Sequence, residues 1–251
     1  MEERYDDSSS DSDAQQKRQV TEVFSPDTEF TFVPHFITFR SIRLKVGSKF
    51  TFQFTLDEEE LYFVKLKNKH QTIPIPIGIG KEVHYSGKNR FILTPSKGFQ
   101  QFVLTDNGTE VFTAQFENIT SSQKNEAKSK TDEKNDDKKD SDESSSGKNS
   151  QNPIKGFPKR ITAKWKPKDG DEINVVSKPP ELSETGEYVL DFDGRFAVPS
   201  IKNAIFEDKN TGETLMMFRR LDEWEMNCEA VRSMPDIFVF ALLISVNVCP
   251  F

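Results

Sequence analysis

Two patterns in this chain predict a mainly β fold built around one terminal helix. Short apolar runs alternate with polar residues at a period of two, as where Phe50, Phe52, Phe54 and Leu56 fall on one side and Thr51, Gln53 and Thr55 on the other. The segment Pro235 to Phe251, PDIFVFALLISVNVCPF, is the longest almost uncharged apolar run of an otherwise polar chain. So many strands followed by one apolar helix predict a closed or nearly closed sheet around that helix. A two-sheet sandwich with the helix against one opening is the alternative.

The elements follow in chain order. Residues 1–22 lack an apolar stretch, and the first twenty carry six acids against three bases, so they read as a disordered acidic tail. Strands are expected at 36–46, 50–56 and 61–67; in the last of these Tyr62, Val64 and Leu66 lie opposite Phe63, Lys65 and Lys67, so that one face enters a core and the other presents positive charge. Further strands are expected at 90–94, 99–104, 110–116, 160–165, 172–176, 187–192, 200–207 and 213–219, with Gly, Pro, Asp or Asn at many junctions. Asp57 to Glu60 reads as an acidic, solvent-exposed turn and Asp193-Gly194 as a tight one. Residues 121–152 are polar, Ser-rich and nearly charge-balanced, and read as a disordered insertion inside a domain spanning 23–251; they cannot repay the entropy of ordering through core burial. In the final segment Pro235 suits the first helical turn and Asp236 the positive helix end. From Ile237 to Val248 nearly every side is apolar, which does not describe a one-sided surface helix. This run is shorter than the roughly 20 residues of a membrane span and contains Asn247, so it reads as a helix enclosed by protein.

Composition narrows the function classes. The formal net charge of the chain is -7, and the two polar segments supply more than half of it, so the folded remainder has room for a basic patch. No basic stretch followed by an apolar run marks a secretory leader, and an intracellular protein is expected, with Cys228 and Cys249 as thiols. His35, His70 and His84 are scattered and form no zinc set, and no cofactor is expected. Nothing resembles a Ser/His/Asp or Cys/His constellation, and GIGKEVHYSGK at 78–88 lacks the spacing of a nucleotide-binding loop. No enzyme is expected.

The second half resembles the C-terminal domain of tubby-like proteins. GFPKRITAKW at 156–165 is similar to that family's Gly-x-Pro-Arg-Lys strand region, GEYVLDFDGRFAVPSIKNAIF at 186–206 to its Tyr-Val-Leu-Asn-Phe-x-Gly-Arg-Val segment, and MMFRR at 216–220 to its Met-x-Phe-Gly-Arg run. PDIFVFALLISV resembles the family's final apolar helix, and TFQFTLD at 51–57, YFVKLKNK at 62–69 and YSGKNRFILTPSKGFQQFVLTDNG at 85–108 resemble its early strands. The resemblance implies a closed antiparallel barrel of twelve strands around a buried C-terminal helix.

It also implies a function. Tubby-like domains bind phosphoinositide headgroups, with a Lys-x-Arg element after an early strand and a further arginine on the next segment. Lys67 and Lys69 are the counterparts of that element, Arg90 in the GKNR run is the counterpart of the later arginine, and Lys88 and Lys65 are additional ligands. Several cations together hold a multiply phosphorylated ring better than one lysine, and arginine forks two hydrogen bonds onto one phosphate. Read without the resemblance, Lys65, Lys67 and Lys69 are a solvated strand face, with Lys65 and Lys67 about 6.6 Å apart. Arg195 and Lys202 are expected to make barrel hydrogen bonds or ion pairs, while Trp165 and Trp224 pack at a barrel edge or meet a partner. The expected protein is a monomeric membrane-tethering adaptor in the cytoplasm, peripheral at the cytosolic face of the plasma membrane, with a nuclear pool left open. The alternatives are a protein-interaction scaffold or transcription regulator without specific lipid binding, and a nucleic-acid-associated module.

Overall fold

Alternation with a period of two becomes one closed sheet. The structure, a computed structural model, describes residues 36–80, 89–118, 159–182 and 188–250. The tail at 1–22, the insertion at 121–152 and Lys88 lie outside the described residues. The strands are β1 (Phe36–Val46), β2 (Lys49–Leu56), β3 (Glu59–Leu66), β4 (Ile75–Ile79), β5 (Phe91–Pro95), β6 (Gln101–Asp106), β7 (Thr109–Glu117), β8 (Arg160–Trp165), β9 (Ile173–Ser177), β10 (Glu181–Leu182), β11 (Tyr188–Val189), β12 (Ala204–Asp208), β13 (Thr214–Arg220) and β14 (Glu225–Val231). Each of β1 to β8 pairs antiparallel with the next, β9 continues to β12, β13 and β14, and β14 returns to β1, with Phe36 opposite Val231 and Ile42 opposite Glu225. The result is a closed barrel of twelve strands, and closure leaves it no unpaired edge. The short β10 and β11 pair only with each other.

The lumen is filled by α1 (Asp236–Val248), and every residue from Ile237 to Val248 is buried. Phe240 lies 5.1 Å from the Phe54 ring and 5.7 Å from the Tyr62 ring, while Phe238 lies 5.3 Å from Phe112 and 5.9 Å from Trp165. The helix thus packs on β2 and β3 through one phenylalanine and on β7 and β8 through another. Around it stand the lumen-facing residues of the strands, among them Phe52 and Phe54, Phe102 and Leu104, Phe206, and Met216 and Phe218. A helix apolar on all sides is stable only where apolar side chains surround it.

Expectation and structure differ at identifiable places. Strand β4 contains Pro74 just before it and Pro76 within it, which reads against a strand. Pro76 is tolerated because the ladder to β3 holds only Ile79 and Gly78, so no β3 pairing is lost at Pro76. Strand β14 has a weak apolar alternation, Met226, Cys228 and Ala230, yet these are the residues that face the lumen. Among the described residues of the expected strand at 187–192 only Tyr188 and Val189 pair, and Phe192 instead packs outside the barrel on Ile205 and Met217. Residues 200–203 turn, with the Asn203 amide donating to the Ser200 carbonyl, so β12 starts at Ala204. The acidic turn at Asp57 and Glu58 and the one at Asp193-Gly194 both have positive φ.

The barrel has two chemically different ends. At the lower end, where α1 begins, the described residues include Asp57, Glu58, Asp106, Asp169, Asp171, Glu172 and Asp236. At the upper end, where α1 finishes, they include Arg43, Lys45, Lys49, Lys67, Lys69, Lys97 and Arg220.

Candidate anion site at the upper end of the barrel

The floor of the upper end is the C-terminus of α1. Helices finish with carbonyls that have no intrahelical donor, and these are buried ones. Lys202 supplies two donors, its Nζ lying 2.6 Å from the Val246 carbonyl and 2.7 Å from that of Cys249. His70 donates through Nδ1 to the Val248 carbonyl at 2.8 Å, since a carbonyl only accepts. Asn247 turns back to the Leu243 carbonyl at 3.0 Å.

Above this floor stand two arginines facing inward. On β1 the lumen parity runs Phe39, Ser41, Arg43, and on β13 it runs Met216, Phe218, Arg220. Arg43 donates to the Glu223 carbonyl at 2.8 Å, and Arg220 donates to the same carbonyl at 3.1 Å and to that of Asp222 at 2.7 Å. Neutral carbonyls do not cancel the two charges. Burial lowers the Arg43 pKa, Arg220 lowers it further, and Glu223 opposes them. Among the described residues the buried Nε of Arg43 has no hydrogen-bond partner. Its guanidinium lies 5.3 Å from the Trp224 ring centroid and 5.9 Å from that of Phe50. Glu225, the nearest acid on β14, is held in a two-bond fork by Arg40 at 2.6 and 2.8 Å.

A cavity of about 160 Å³ joins these groups, lined by Ser41, Arg43, Lys69, Ser200, Lys202, Arg220, Trp224 and Asn247, with Glu223 and Glu225 also on its wall. That is smaller than the sites that enclose a whole small molecule and suits one compact anionic group. A shallower depression at the same end, lined by Ser96, Gln100, Gln101, Gln115 and Asn118 among others, contains Lys159 but no comparable group of cations.

The residues singled out in the sequence divide between two places. Lys69 reaches the cavity, and Lys67 stands exposed at the end of β3 with its amide bonded to Gln71. Lys65 points outward from β3, its Nζ 5.4 Å from the Phe63 ring. Phe63 faces Gly78 and Pro76 faces Ile92, so Ile92 lies across β4 from Lys65 and Arg90 is offset two residues towards the lower end, about 12 Å from Lys65 by strand spacing. Arg90 is forked onto Asp106 at 2.9 and 3.0 Å and covers the Phe91 ring at 4.6 Å, and the Asp106 contact raises its pKa. The structure therefore does not gather Arg90 and Lys69 into one pocket. Arg195 and Lys202 take structural bonds, Arg195 with Glu229 at 3.0 Å and with Asp193 at 3.3 Å. Glu229 is buried and also bound by Arg219.

The sequence reading does not single out Arg43 and Arg220, and it gives Trp224 only as packing at a barrel edge or meeting a partner. The signal for the arginines was parity, since each continues the inward set of a strand, but β14 had to be recognised before the two could be placed side by side. No protein-family model matches the chain, and no curated protein matches it.

Proposed function

We propose that this protein is a peripheral, non-enzymatic module that binds phosphoinositide headgroups at a cytosolic membrane face, as the tubby-like resemblance implies. One observation carries the reading: Lys69, a counterpart of the family's Lys-x-Arg element, lines a cavity with Arg43 and Arg220, whose side chains donate to backbone carbonyls rather than to carboxylates. Two guanidiniums and a mobile ammonium match a phosphate monoester, which offers several acceptor oxygens to converging donors. Arg90, forked onto Asp106 at the opposite end of the barrel, lies too far from Lys69 to share a headgroup with it, and Lys65 points outward from the wall between them. Binding of this kind is reversible and weakens with salt.

The test is sedimentation with vesicles that each contain one phosphoinositide, beside vesicles of matched charge made with phosphatidylserine. Phosphoinositide vesicles are expected to bind more tightly than the control. Lys69→Ala, at an exposed residue, is expected to weaken that binding about tenfold while leaving thermal unfolding unchanged. Arg90→Ala probes the outer wall separately. Equal binding to both kinds of vesicle would abandon the headgroup reading in favour of a protein-interaction scaffold.

A further inference from the structure

The β1–β2 hairpin extends past β14 on one side, while β2 stays paired with β3 up to Phe50 opposite Leu66 on the other. Strand β1 pairs with β14 only from Phe36 to Ile42, whereas its pairing with β2 continues through Leu44 opposite Thr51 to Val46 opposite Lys49. The tip turns at Gly47, with φ of +62°. Leu44 and Val46 lie on the outward face of this ribbon, 47% and 78% exposed, while Lys45 on the other face sits 5.9 Å from the Phe50 ring. A valine so exposed gains nothing from the fold that carries it.

Trp224 stands beside this ribbon. The Arg43 amide donates to the Trp224 carbonyl at 2.7 Å, so the β13–β14 turn is tied to the base of the projecting hairpin. Trp224 is 41% exposed, Ile73 in the segment after β3 is 48% exposed and Ile201 before β12 is 40% exposed. Scattered exposed apolar residues are ordinary; these belong to the upper-end segments, and Trp224 and Ile201 line the cationic cavity itself. Apolar tips interleaved with Lys45, Lys49, Lys67 and Lys69 complement one surface above others, a bilayer bearing anionic lipids, where lysines meet headgroup phosphates and Trp prefers the interface.

We infer that the upper end of the barrel docks end-on to an anionic bilayer, with Leu44, Val46 and Trp224 inserted among the lipid headgroups around the cavity. The orientation rests on the headgroup reading above but adds a contact which that reading does not require. A soluble headgroup meets only the cations; a vesicle meets the apolar tips as well.

The experiment uses the full chain and its Val46→Ser and Trp224→Ser variants. Affinity is measured both for phosphoinositide vesicles and for soluble inositol trisphosphate, and tryptophan emission is followed with lipids brominated along the acyl chain. Val46→Ser is expected to weaken vesicle binding about fivefold to tenfold and to leave binding of the soluble headgroup unchanged. Brominated lipids are expected to quench emission in the protein and to quench it less in Trp224→Ser, which retains Trp165. Vesicle binding that is unchanged in both variants and shows no quenching overturns the insertion while the headgroup reading stands. Absence of binding to vesicles and to soluble headgroup alike overturns both.

Discussion

Lys202 performs the capping that α1 has no residue of its own to perform. Its amino group is buried against two carbonyls, and burial lowers its pKa to about 6; the Cys249 interaction opposes that shift, while Lys69, Lys159 and Arg43 add to it. The sign of the pH dependence follows. Between about 6 and the ordinary lysine value near 10.5 the unfolded chain holds this proton more firmly than the folded one, so stability contributed by the group is complete above the upper value and is lost as pH falls towards the lower. Thermal melts are expected to rise with pH across that window, by at most about 1.4 kcal/mol per pH unit, and Lys202→Met is expected to flatten the rise. Identical pH profiles for the two proteins would show that Lys202 keeps its proton on folding. Lys202 was assigned in sequence to barrel bonding rather than to headgroup contact, and its bonds to α1 are of that kind. Lys69 is singled out only through the tubby-like resemblance, since strand periodicity alone reads it as part of a solvated face. Arg43 is not singled out, because an arginine at the end of a strand looks the same whether it faces water or lumen until its neighbours are placed.

Element by element, the helix was the most legible feature and β4 and β14 the least. An apolar run with no polar face has one solution in water, enclosure, and α1 is enclosed by strands on opposite sides of it. Phe240→Ala is expected to cost about 3–5 kcal/mol in chemical denaturation, since its ring is fully buried and packed on Phe54 and Tyr62. Phe240→Lys is expected to abolish cooperative unfolding, and a normal transition in that variant would contradict the packing described for α1. Strand β14 escaped because its inward residues are Met, Cys and Ala, which are small or flexible enough to lie against the helix yet weak as strand signals. Missing it also hid the seam with β1, and with that seam the cavity.

For the whole molecule, closure of the sheet governs what can be removed. Glu117 at the end of β7 faces Arg160 at the start of β8, so the chain between them joins two adjacent, directly paired strands. Deleting residues 121–152 shortens that connection roughly fourfold and is expected to leave a cooperative melt, with a gain of about 1 kcal/mol from the smaller loop. Loss of the transition in the deletion variant would give the insertion a structural role. The same closure explains why the site was only partly legible: Arg43 and Arg220 come from strands far apart in chain order and meet only when β14 pairs with β1. It has a temporal consequence as well. On a ribosome the strands emerge before α1, so the segment destined for the centre is made after the wall that must surround it. Until Asp236–Val248 has left the exit tunnel, the lumen-facing phenylalanines of β2, β6, β7 and β12 have only one another and the neighbouring strands to pack on. Chains in which the strands have been made, but Asp236–Val248 has not, therefore leave uncovered the apolar wall that the helix later fills.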